Sequence, residues 1–569
     1  MATLRFAALI LLAACVGTEG PAPSSSGGTL VISAGATPDV LIPGVTASGL
    51  GNQISDLVFD RLAEIGDSLN IVGDRGFTPR LADRWSWSAD SLSIAFHVNP
   101  RARWHDGQPV RAEDVRFTFE SNRDSTMGSS AFALLGNVDS VTAPDSATAV
   151  FWFRSRAPQQ FYDAVYLMPI LPAHIWRDKP VASWRASAEA RAPVGSGRYR
   201  FVRWTPRSSV ELAADTMNYF GAPKLNRVIW SLSSDFNTAV TRFLSGEADF
   251  FEALRPENVS AIRNLPQVRI AQTKGLQYSF AQLNLRDPAN RARPHPVFGD
   301  RELRRALTMA VDRGAIVRSV YDTLAFPALG PTTRMYTTTD PNLPQIPFDL
   351  ARARATLDSL GWRDADGDGT RERNGRPLKF AVTVPGSSTA RVRMAVLIQE
   401  QLRQAGVKVD VEQTDFRVFL DKMRRRAFDV VISGLQTQPS PGSVRQSWGT
   451  AGSRARDGSN YGSYESPVFD AYIDSALAAF DVPARRALFT KAYRTIIEDA
   501  PAIWLAEPIP TLGYHSRLQV AGMRPDAWWA HIGEWSIPED KRIPRDNLPA
   551  AAPFSPAPSP ADTAGRKAP

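Results

Sequence analysis

The 569-residue chain contains a single cysteine, Cys15, and six scattered histidines, and it has no HExxH motif. One thiol excludes a disulfide framework within the chain and any zinc site built on paired cysteines. Only nine of the 66 basic residues are lysine, and the net charge of +8 is distributed over short clusters beside acids. A charge spread in this way does not indicate a nucleic-acid partner. We therefore expect no nucleic acid, no metal and no cofactor.

Long hydrophobic runs are also missing, because no stretch after the N-terminus reaches the length that spans a bilayer. Residues 1–14, MATLRFAALILLAA, have one arginine and a short apolar run, which is typical of a signal peptide. The sequence Leu-Ala-Ala-Cys that ends at Cys15 resembles the lipobox of bacterial lipoproteins. The resemblance implies that Cys15 is lipidated and that the exported protein is anchored to the cell membrane, at the cell surface or in the periplasm. An ordinary signal peptide with a free thiol is the alternative.

Two low-complexity segments flank the remaining chain. Residues 15–28 are rich in Gly, Ser and Pro and are predicted to form a flexible tether. Residues 541–569 are rich in Pro and Ala and are predicted to form a disordered tail. The sequence between them exceeds what one hydrophobic core usually serves, so two or more lobes are expected.

Strand and helix patterns alternate along this central part, which predicts an α/β protein. The first strand is expected near residue 29, in TLVISA. Alternating or continuous apolar residues predict further strands at 91–98, 147–153, 198–204, 209–214, 227–233 and 378–384. Amphipathic patterns predict helices at 112–124, 236–247, 300–321, 349–362, 388–406 and 483–500.

Four motifs resemble those of the extracellular solute-binding proteins of ABC importers, in the class that binds peptides or nickel (family 5). They occur in the order of that family and read WHDGQPVRAEDVRFTF (104–119), GSGRYRFVRW (195–204), FGDRELRRALTMAVDRGAIV (298–317) and DLARARATLDSLGW (349–362). The resemblance implies a two-lobed fold like that of type II periplasmic binding proteins, with a subdomain inserted in the first lobe. It also implies a monomer that captures a ligand by hinge closure and delivers it to the ABC permease subunits.

Mapped onto this chain, the resemblance assigns each segment to a lobe. The core of the first lobe is expected at 29–52, 186–276 and 504–540, the inserted subdomain at 53–185, and the second lobe at 277–503. The two hinge crossings would lie at the strand 276–285 and near residues 502–506.

The loop that follows the strand FDVVISG (428–434) departs from the family pattern. Peptide-binding members have an aspartate there that pairs with the α-ammonium of the peptide, whereas our alignment places Gln438 at this position. Glutamine accepts a hydrogen bond but does not neutralise a charge. The ligand is therefore expected to be an oligopeptide or a neutral polar molecule such as an oligosaccharide. The candidate ligand-binding residues are Thr37, Asp39, Tyr278, Leu435, Gln436, Thr437, Gln438, Ser440 and Trp448.

In this set Asp39 is the candidate replacement for the missing negative charge, and Tyr278 and Trp448 are candidate aromatic walls. The turn DADGDG, with Asp364, Asp366 and Asp368, resembles the start of a calcium loop but lacks the glutamate that such a loop needs at its twelfth position. No catalytic signature is present, so no enzymatic activity is expected. A secreted hydrolase and a ligand-sensing lipoprotein without a permease are the alternative functions.

Overall fold

The computed structural model describes residues 27–129, 131–455 and 458–547. Cys15, the predicted signal peptide and most of the predicted tether lie outside these residues. Within them, none of the helices combines the length and the apolar composition that a bilayer-spanning helix needs.

A seven-stranded sheet forms the base of the first lobe. Its first strand, Thr29–Ala34, pairs in parallel with Arg227–Leu232 and with Phe250–Phe251. The strands lie in the spatial order Val268–Gln272, Thr511–His515, Phe250–Phe251, Thr29–Ala34, Arg227–Leu232, Ser209–Ala214 and Tyr199–Thr205. The sheet therefore joins the beginning of the chain to its end.

A separate four-stranded antiparallel sheet comes from the residues expected in the inserted subdomain. Its order is Ala82–Trp87, Ser93–Val98, Thr148–Phe153 and Val138–Thr142, and a small ribbon pairs Ala63–Ile65 with Phe77–Pro79. This sheet shares one hydrophobic core with the seven-stranded sheet. The limits 53–185 of the subdomain remain a prediction.

Short helices cover these two sheets. The α-helices of the first lobe are Gly49–Val58, Ala112–Asn122, Ala131–Leu134, Gln160–Val165, Ala173–Trp176, Phe236–Leu244 and Pro256–Ile262. Its 3₁₀ helices are Ser125–Met127, Leu135–Asn137, Val181–Ala186, Trp528–Glu534, Glu539–Lys541 and Pro544–Asn547.

The second lobe has its own sheet and its own hydrophobic core. Its six strands lie in the order Ala325–Pro327, Ala502–Pro508, Gln277–Leu283, Val430–Gln436, Lys379–Pro385 and Lys408–Thr414, and two ribbons pair Arg286–Asp287 with Asn290–Pro294 and Glu372–Arg373 with Arg376–Pro377. Its helices are Arg301–Met309, Arg313–Tyr321, Leu350–Ser359, Thr389–Gln404, Phe416–Arg425, Ser443–Trp448, Thr450–Arg454, Pro467–Ala478 and Val482–Asp499. Two cores in one chain confirm the predicted two-lobed α/β fold.

The chain passes between the lobes twice, at residues 273–276 and 509–510. The crossings lie side by side, because the backbone N–H of Thr273 donates to the carbonyl of Pro510 over 3.1 Å. Both expected crossings, at the strand 276–285 and near 502–506, are displaced, since the strands Gln277–Leu283 and Ala502–Pro508 lie in the sheet of the second lobe. The boundary expected at residue 504 is therefore wrong and falls at 509–510.

Most predicted elements are confirmed to within a few residues, but the helix predicted over 300–321 is two helices. The first, Arg301–Met309, ends before Asp312, whose carboxylate accepts a hydrogen bond from the N–H of Ala315 over 2.9 Å. This side chain caps the second helix, Arg313–Tyr321, and so starts a new helical direction. Both helices keep their apolar faces on the core of the second lobe.

Two predictions about the ends of the chain also need correction. Gly27 and Gly28 are buried rather than part of a free tether, and the carbonyl of Gly28 accepts the N–H of Asn226 over 3.0 Å. The prediction of disorder from residue 541 is wrong for residues 541–547. There the buried carboxylate of Asp546 accepts the N–H of Thr29 over 2.7 Å and pairs with Arg517 over 2.6 Å.

Replacement of Gly275 by alanine should destabilise the crossing between the lobes. A Cβ at this position would lie 2.6 Å from the carbonyl oxygen of Pro508, which is too close for the two backbones to stay in place. Overpacking of this kind costs about 1–3 kcal/mol. Urea unfolding should show this loss for Gly275→Ala and almost none for Gly386→Ala, where the nearest atom is 3.7 Å away. Equal stability of the two variants would contradict the tight crossing.

Asp546 should stabilise the protein in a manner that depends on pH. Burial raises the pKa of this carboxyl, but the N–H groups of Ile543 and Thr29 and the guanidinium of Arg517 together hold the pKa below its ordinary value of 3.8. A carboxylate whose pKa is lowered in the folded state stabilises the fold at pH values above its ordinary pKa. This contribution disappears as the pH falls through the lowered pKa.

Asp546→Ala should therefore lower the free energy of unfolding by about 3 kcal/mol at pH 7. This is the low end of the range for a broken buried ion pair, because Asp249 still pairs with Arg517 over 2.7 Å. The difference in free energy of unfolding between this variant and the unmodified protein should become smaller below about pH 4. Urea unfolding between pH 7 and pH 3 measures it, with the exposed Asp540→Ala as control. A difference that stays constant down to pH 3 would contradict the assigned ion pair.

Candidate functional site

A cavity of about 240 Å³ lies between the two lobes beside the first crossing. The first lobe contributes a loop to its wall, the crossing contributes Leu276, and the second lobe contributes three separate segments. The lining residues are 68–72, Leu276, 335–338, Pro439, Pro441, Val482 and Arg485. A space bounded by both lobes and by a hinge is the arrangement in which ligands are commonly enclosed.

The predicted ligand loop 435–441 borders this cavity through Pro439 and Pro441, and none of its five candidate ligand-binding residues is part of the lining. Thr437 fixes the loop to the crossing, because its backbone N–H and its hydroxyl both donate to the carbonyl of Leu276, over 2.7 and 2.8 Å. The carbonyl of Gln438 accepts the hydroxyl of Tyr336 over 2.6 Å. The loop is thus held by its backbone on two sides.

The side chains of the loop differ in their exposure. Leu435 is half-buried opposite Tyr278 in the sheet, and Gln436 is exposed. Gln438 is half-buried, whereas Ser440 is buried and its hydroxyl accepts the N–H of Gly442 over 3.3 Å. Pro439 and Pro441 of this loop line the cavity.

Arg485 is the one charged residue in the lining among the described residues, and sequence reasoning missed it. It lies in the first turn of the helix Val482–Asp499 and is 1% exposed. Its Nη2 is 3.4 Å from the side-chain oxygen of Gln159, which belongs to the first lobe. Burial lowers the pKa of the guanidinium to about 10, so it is charged at neutral pH.

The two predicted aromatic walls lie instead in the core of the second lobe. Tyr278 and Trp448 are each 1% exposed, and the indole N–H of Trp448 donates to the hydroxyl of Tyr278 over 3.0 Å. The Trp448 ring packs on Phe280 and Trp504, with centroid distances of 5.0 and 4.7 Å. Neither predicted aromatic lines the cavity. Their packing supports the sheet that carries the ligand loop.

Thr37 and Asp39 are not brought to this cavity either. Thr37 is exposed on the first lobe, and Asp39 lines a separate open groove with Arg191, Arg203 and other residues. Burial raises the pKa of Asp39, but hydrogen bonds from Thr46 and Ala47 and the guanidinium of Arg185 hold it well below its usual range. This carboxylate is therefore already compensated within the first lobe.

The acidic turn of the second lobe brings together Asp364, Asp366 and a residue that sequence reasoning missed, Glu372. Their carboxylate oxygens lie within 4.8 Å of one another. Asp364 accepts the N–H groups of Gly367 and Gly369, over 2.9 and 3.1 Å. Glu372 accepts the N–H of Ala365 over 2.7 Å. These hydrogen bonds stabilise the turn and explain why the three carboxylates lie close together.

Comparison with known proteins gives a family match over most of the chain. Residues 76–455 match the family described as bacterial extracellular solute-binding proteins, family 5 Middle. The oligopeptide-binding protein AppA of Bacillus subtilis is 23% identical over 542 residues, which cover 92% of this chain and 96% of that protein. Protein XP55 of Streptomyces lividans is 27% identical over 511 residues, which cover 87% of this chain and 88% of that protein.

A solved structure shares the same fold. NikZ from Campylobacter jejuni, in complex with Ni(L-His), superposes with a TM-score of 0.76 at 22% identity, over 90% of this chain and all of that one. At this level of identity the similarity establishes the two-lobed fold.

Proposed function

The chain belongs to family 5 of the bacterial extracellular solute-binding proteins, which supply the substrate-binding components of ABC importers, and we propose that it captures a short peptide or a comparable polar molecule between its lobes. The observation that carries this proposal is the cavity that both lobes line beside the first crossing. Its volume of about 240 Å³ is at or below the small end of ligand pockets, which favours a ligand of a few residues.

Closure of the lobes provides the mechanism. A ligand that contacts both lobes binds more tightly to the closed form, so it shifts the population toward that form. A change from 1:99 to 99:1 requires about 5.5 kcal/mol of differential binding. The permease would recognise the closed form and receive an unaltered ligand, and the protein would act as a monomer.

The lining supports binding over hydrolysis. Among the described residues, the cavity wall contains no aspartate, glutamate, histidine or cysteine. A hydrolase would need a nucleophile with an adjacent base, or a pair of carboxyl groups, around the bound substrate. A sensing role without a permease would use the same site, and permease genes beside this one would favour transport.

We also propose that Cys15 carries the lipid that holds the protein at the membrane. The lipobox-like sequence before Cys15 supports this assignment, although the segment lies outside the described residues. A residue tethered at the membrane surface keeps the binding lobes at a high effective concentration near the permease.

A side chain that fills the cavity should abolish ligand capture without unfolding the protein. Thr337 is exposed and lines the cavity, so Thr337→Trp places an indole in the space that the ligand would occupy. Calorimetry with pools of tripeptides and of neutral oligosaccharides should detect binding to the unmodified protein and at least a tenfold loss in this variant. Thr205→Trp, at an exposed strand end, is the matched control. Unchanged binding in Thr337→Trp would place the ligand elsewhere.

Gln438→Asp should increase the affinity for ligands that carry a free ammonium group. A carboxylate at this position would neutralise a charge that the amide leaves uncompensated, and such a charge-assisted bond contributes about 1.5–3 kcal/mol. The expected result is at least a tenfold gain for peptides over their N-acetylated forms. The exposed Gln436→Asp should show a smaller gain. If Gln438→Asp leaves every affinity unchanged, the loop does not contact the ligand.

A further inference from the structure

A second cavity, of about 520 Å³, lies within the second lobe and outside the space between the lobes. We call it the basic cavity, because four arginines and a single acid line it among the described residues: Arg286, Arg291, Arg426, Arg454 and Glu465.

The basic cavity and the ligand loop lie at opposite ends of one sheet. Arg286 follows the strand Gln277–Leu283, and Arg426 precedes the strand Val430–Gln436, where Leu283 and Val430 are paired. The ligand loop leaves the other end of Val430–Gln436, and a strand of this length spans about 20 Å. The basic cavity is therefore a site of its own and no extension of the cavity between the lobes.

The positive charge of the basic cavity is only partly neutralised within the protein. The carboxylate of Glu465 pairs with Arg454 over 2.9 Å. The guanidinium of Arg286 makes no ion pair within 4.0 Å among the described residues and interacts with Glu465 only at longer range. Arg291 reaches the hydroxyl of Ser463 over 3.4 Å. Neither Arg286 nor Arg291 therefore has an acid in contact with it in the part of the chain that the structure describes.

Arg426 is the buried member of this set, with 5% of its surface exposed. It ends the helix Phe416–Arg425 in the left-handed conformation, at φ 57°, where glycine is the usual residue because it has no Cβ. Its Nη1 donates to the carbonyl of Ser453 over 2.6 Å, which holds the guanidinium at the cavity. Burial and the repulsion of nearby Arg291 lower the pKa of Arg426. A bound anion would relieve both effects.

A phosphate group suits this arrangement better than a carboxylate does. The arginines belong to separate segments of the chain, so several guanidinium groups surround one space. A phosphate presents three strong acceptor oxygens and up to two negative charges, whereas a carboxylate has two oxygens and one charge. Guanidinium groups bind phosphate oxygens through paired N–H donors. The volume of about 520 Å³ also leaves space for the rest of a phosphorylated molecule.

We propose that the basic cavity binds a phosphate group, with Arg286 and Arg291 as its contacts and Arg426 as the fixed buried charge beside them. This inference goes beyond the capture of a ligand between the lobes, because it concerns a separate site of the second lobe. The phosphate can belong to a free small molecule or to the headgroup of an anionic phospholipid. The second source would bring this end of the second lobe to a membrane surface.

Calorimetry on the purified protein tests both sources. Inorganic phosphate and pyrophosphate are the probes for a free molecule, and sodium chloride at the same ionic strength is the blank, because screening acts on every exposed charge. Water-soluble short-chain phosphatidylglycerol is the probe for a headgroup, with zwitterionic short-chain phosphatidylcholine as its control. We expect saturable binding of at least one phosphate probe and none of phosphatidylcholine.

Two single variants link this binding to the basic cavity. Arg286→Gln and Arg291→Gln each remove one contact and leave the carbonyl bond of Arg426 in place. Each should weaken the binding of the phosphate probe about tenfold, as expected for the loss of a bond between charged groups. Arg494→Gln removes the same charge from an exposed position elsewhere in the second lobe and should keep the full affinity. Urea midpoints confirm that each variant is folded.

The outcomes decide the proposal without reference to ligand capture. Binding that both cavity variants weaken and Arg494→Gln retains supports the site, and binding of phosphatidylglycerol alone identifies a lipid headgroup as the source. No binding of any phosphate probe, full affinity in either cavity variant, or an equal loss in Arg494→Gln overturns it. The capture function would still stand, because none of these arginines lines the cavity between the lobes.

Discussion

The close pairing of the two chain crossings is the constraint on which the rest of the structure depends. The N–H of Thr273 bonds to the carbonyl of Pro510, and Gly275 lies against the carbonyl of Pro508 with no space for a side chain. Each lobe has a main hydrophobic core of its own, and Tyr336 of the second lobe reaches the core of the first. Any relative movement of the lobes must therefore bend the chain at this narrow strip. The cavity and the ligand loop lie directly beside it.

The loop 435–441 shows how this constraint reaches the ligand site. The loop leaves the sheet of the second lobe at Gln436, and Thr437 then fixes it to the crossing by donating twice to the carbonyl of Leu276. Tyr336 adds a bond from a second segment to Gln438 and packs with the core of the first lobe. Cavity wall, loop and crossing form one connected backbone structure. A rearrangement of the crossing would reach the position of Gln438 through these bonds.

The helices and strands that local sequence patterns determine could be predicted well. Strands with apolar alternation, such as Tyr199–Thr205, and helices with an apolar stripe, such as Leu350–Ser359, agree with expectation, because burial of one face determines each pattern. The family motifs also led to the correct two-lobed fold. Local patterns failed where a polar side chain decides between two structures. Asp312 starts a second helix, and Asp546 fixes a segment whose composition indicates disorder.

The candidate site was predicted only in part, since its residues come together from both lobes. An aromatic residue of a core and one of a ligand wall look alike in sequence, so Tyr278 and Trp448 were assigned to the cavity although they pack in the core. Composition alone does not mark Arg485 as a buried residue, because charged residues in a first helical turn are usually exposed. A usable signal was present, however. Arg485, Phe489, Ala492, Tyr493 and Ile496 lie on one helical face, and the last four are apolar core residues. An arginine that begins such a stripe is placed where solvent does not reach.

The buried position of Arg485 also affects how strongly closure of the lobes depends on a bound ligand. With the lobes together, the guanidinium of Arg485 is enclosed with two unpartnered nitrogens, which penalises the closed form when the cavity is empty. A ligand that accepts hydrogen bonds from these nitrogens would remove this penalty as it binds, and that contact would add to the difference in affinity between the open and closed forms. Differential affinity is what shifts a two-state equilibrium. A neutral residue at this position would lower the cost of closing without a ligand, and an importer that recognises closed binding proteins would then be offered empty ones.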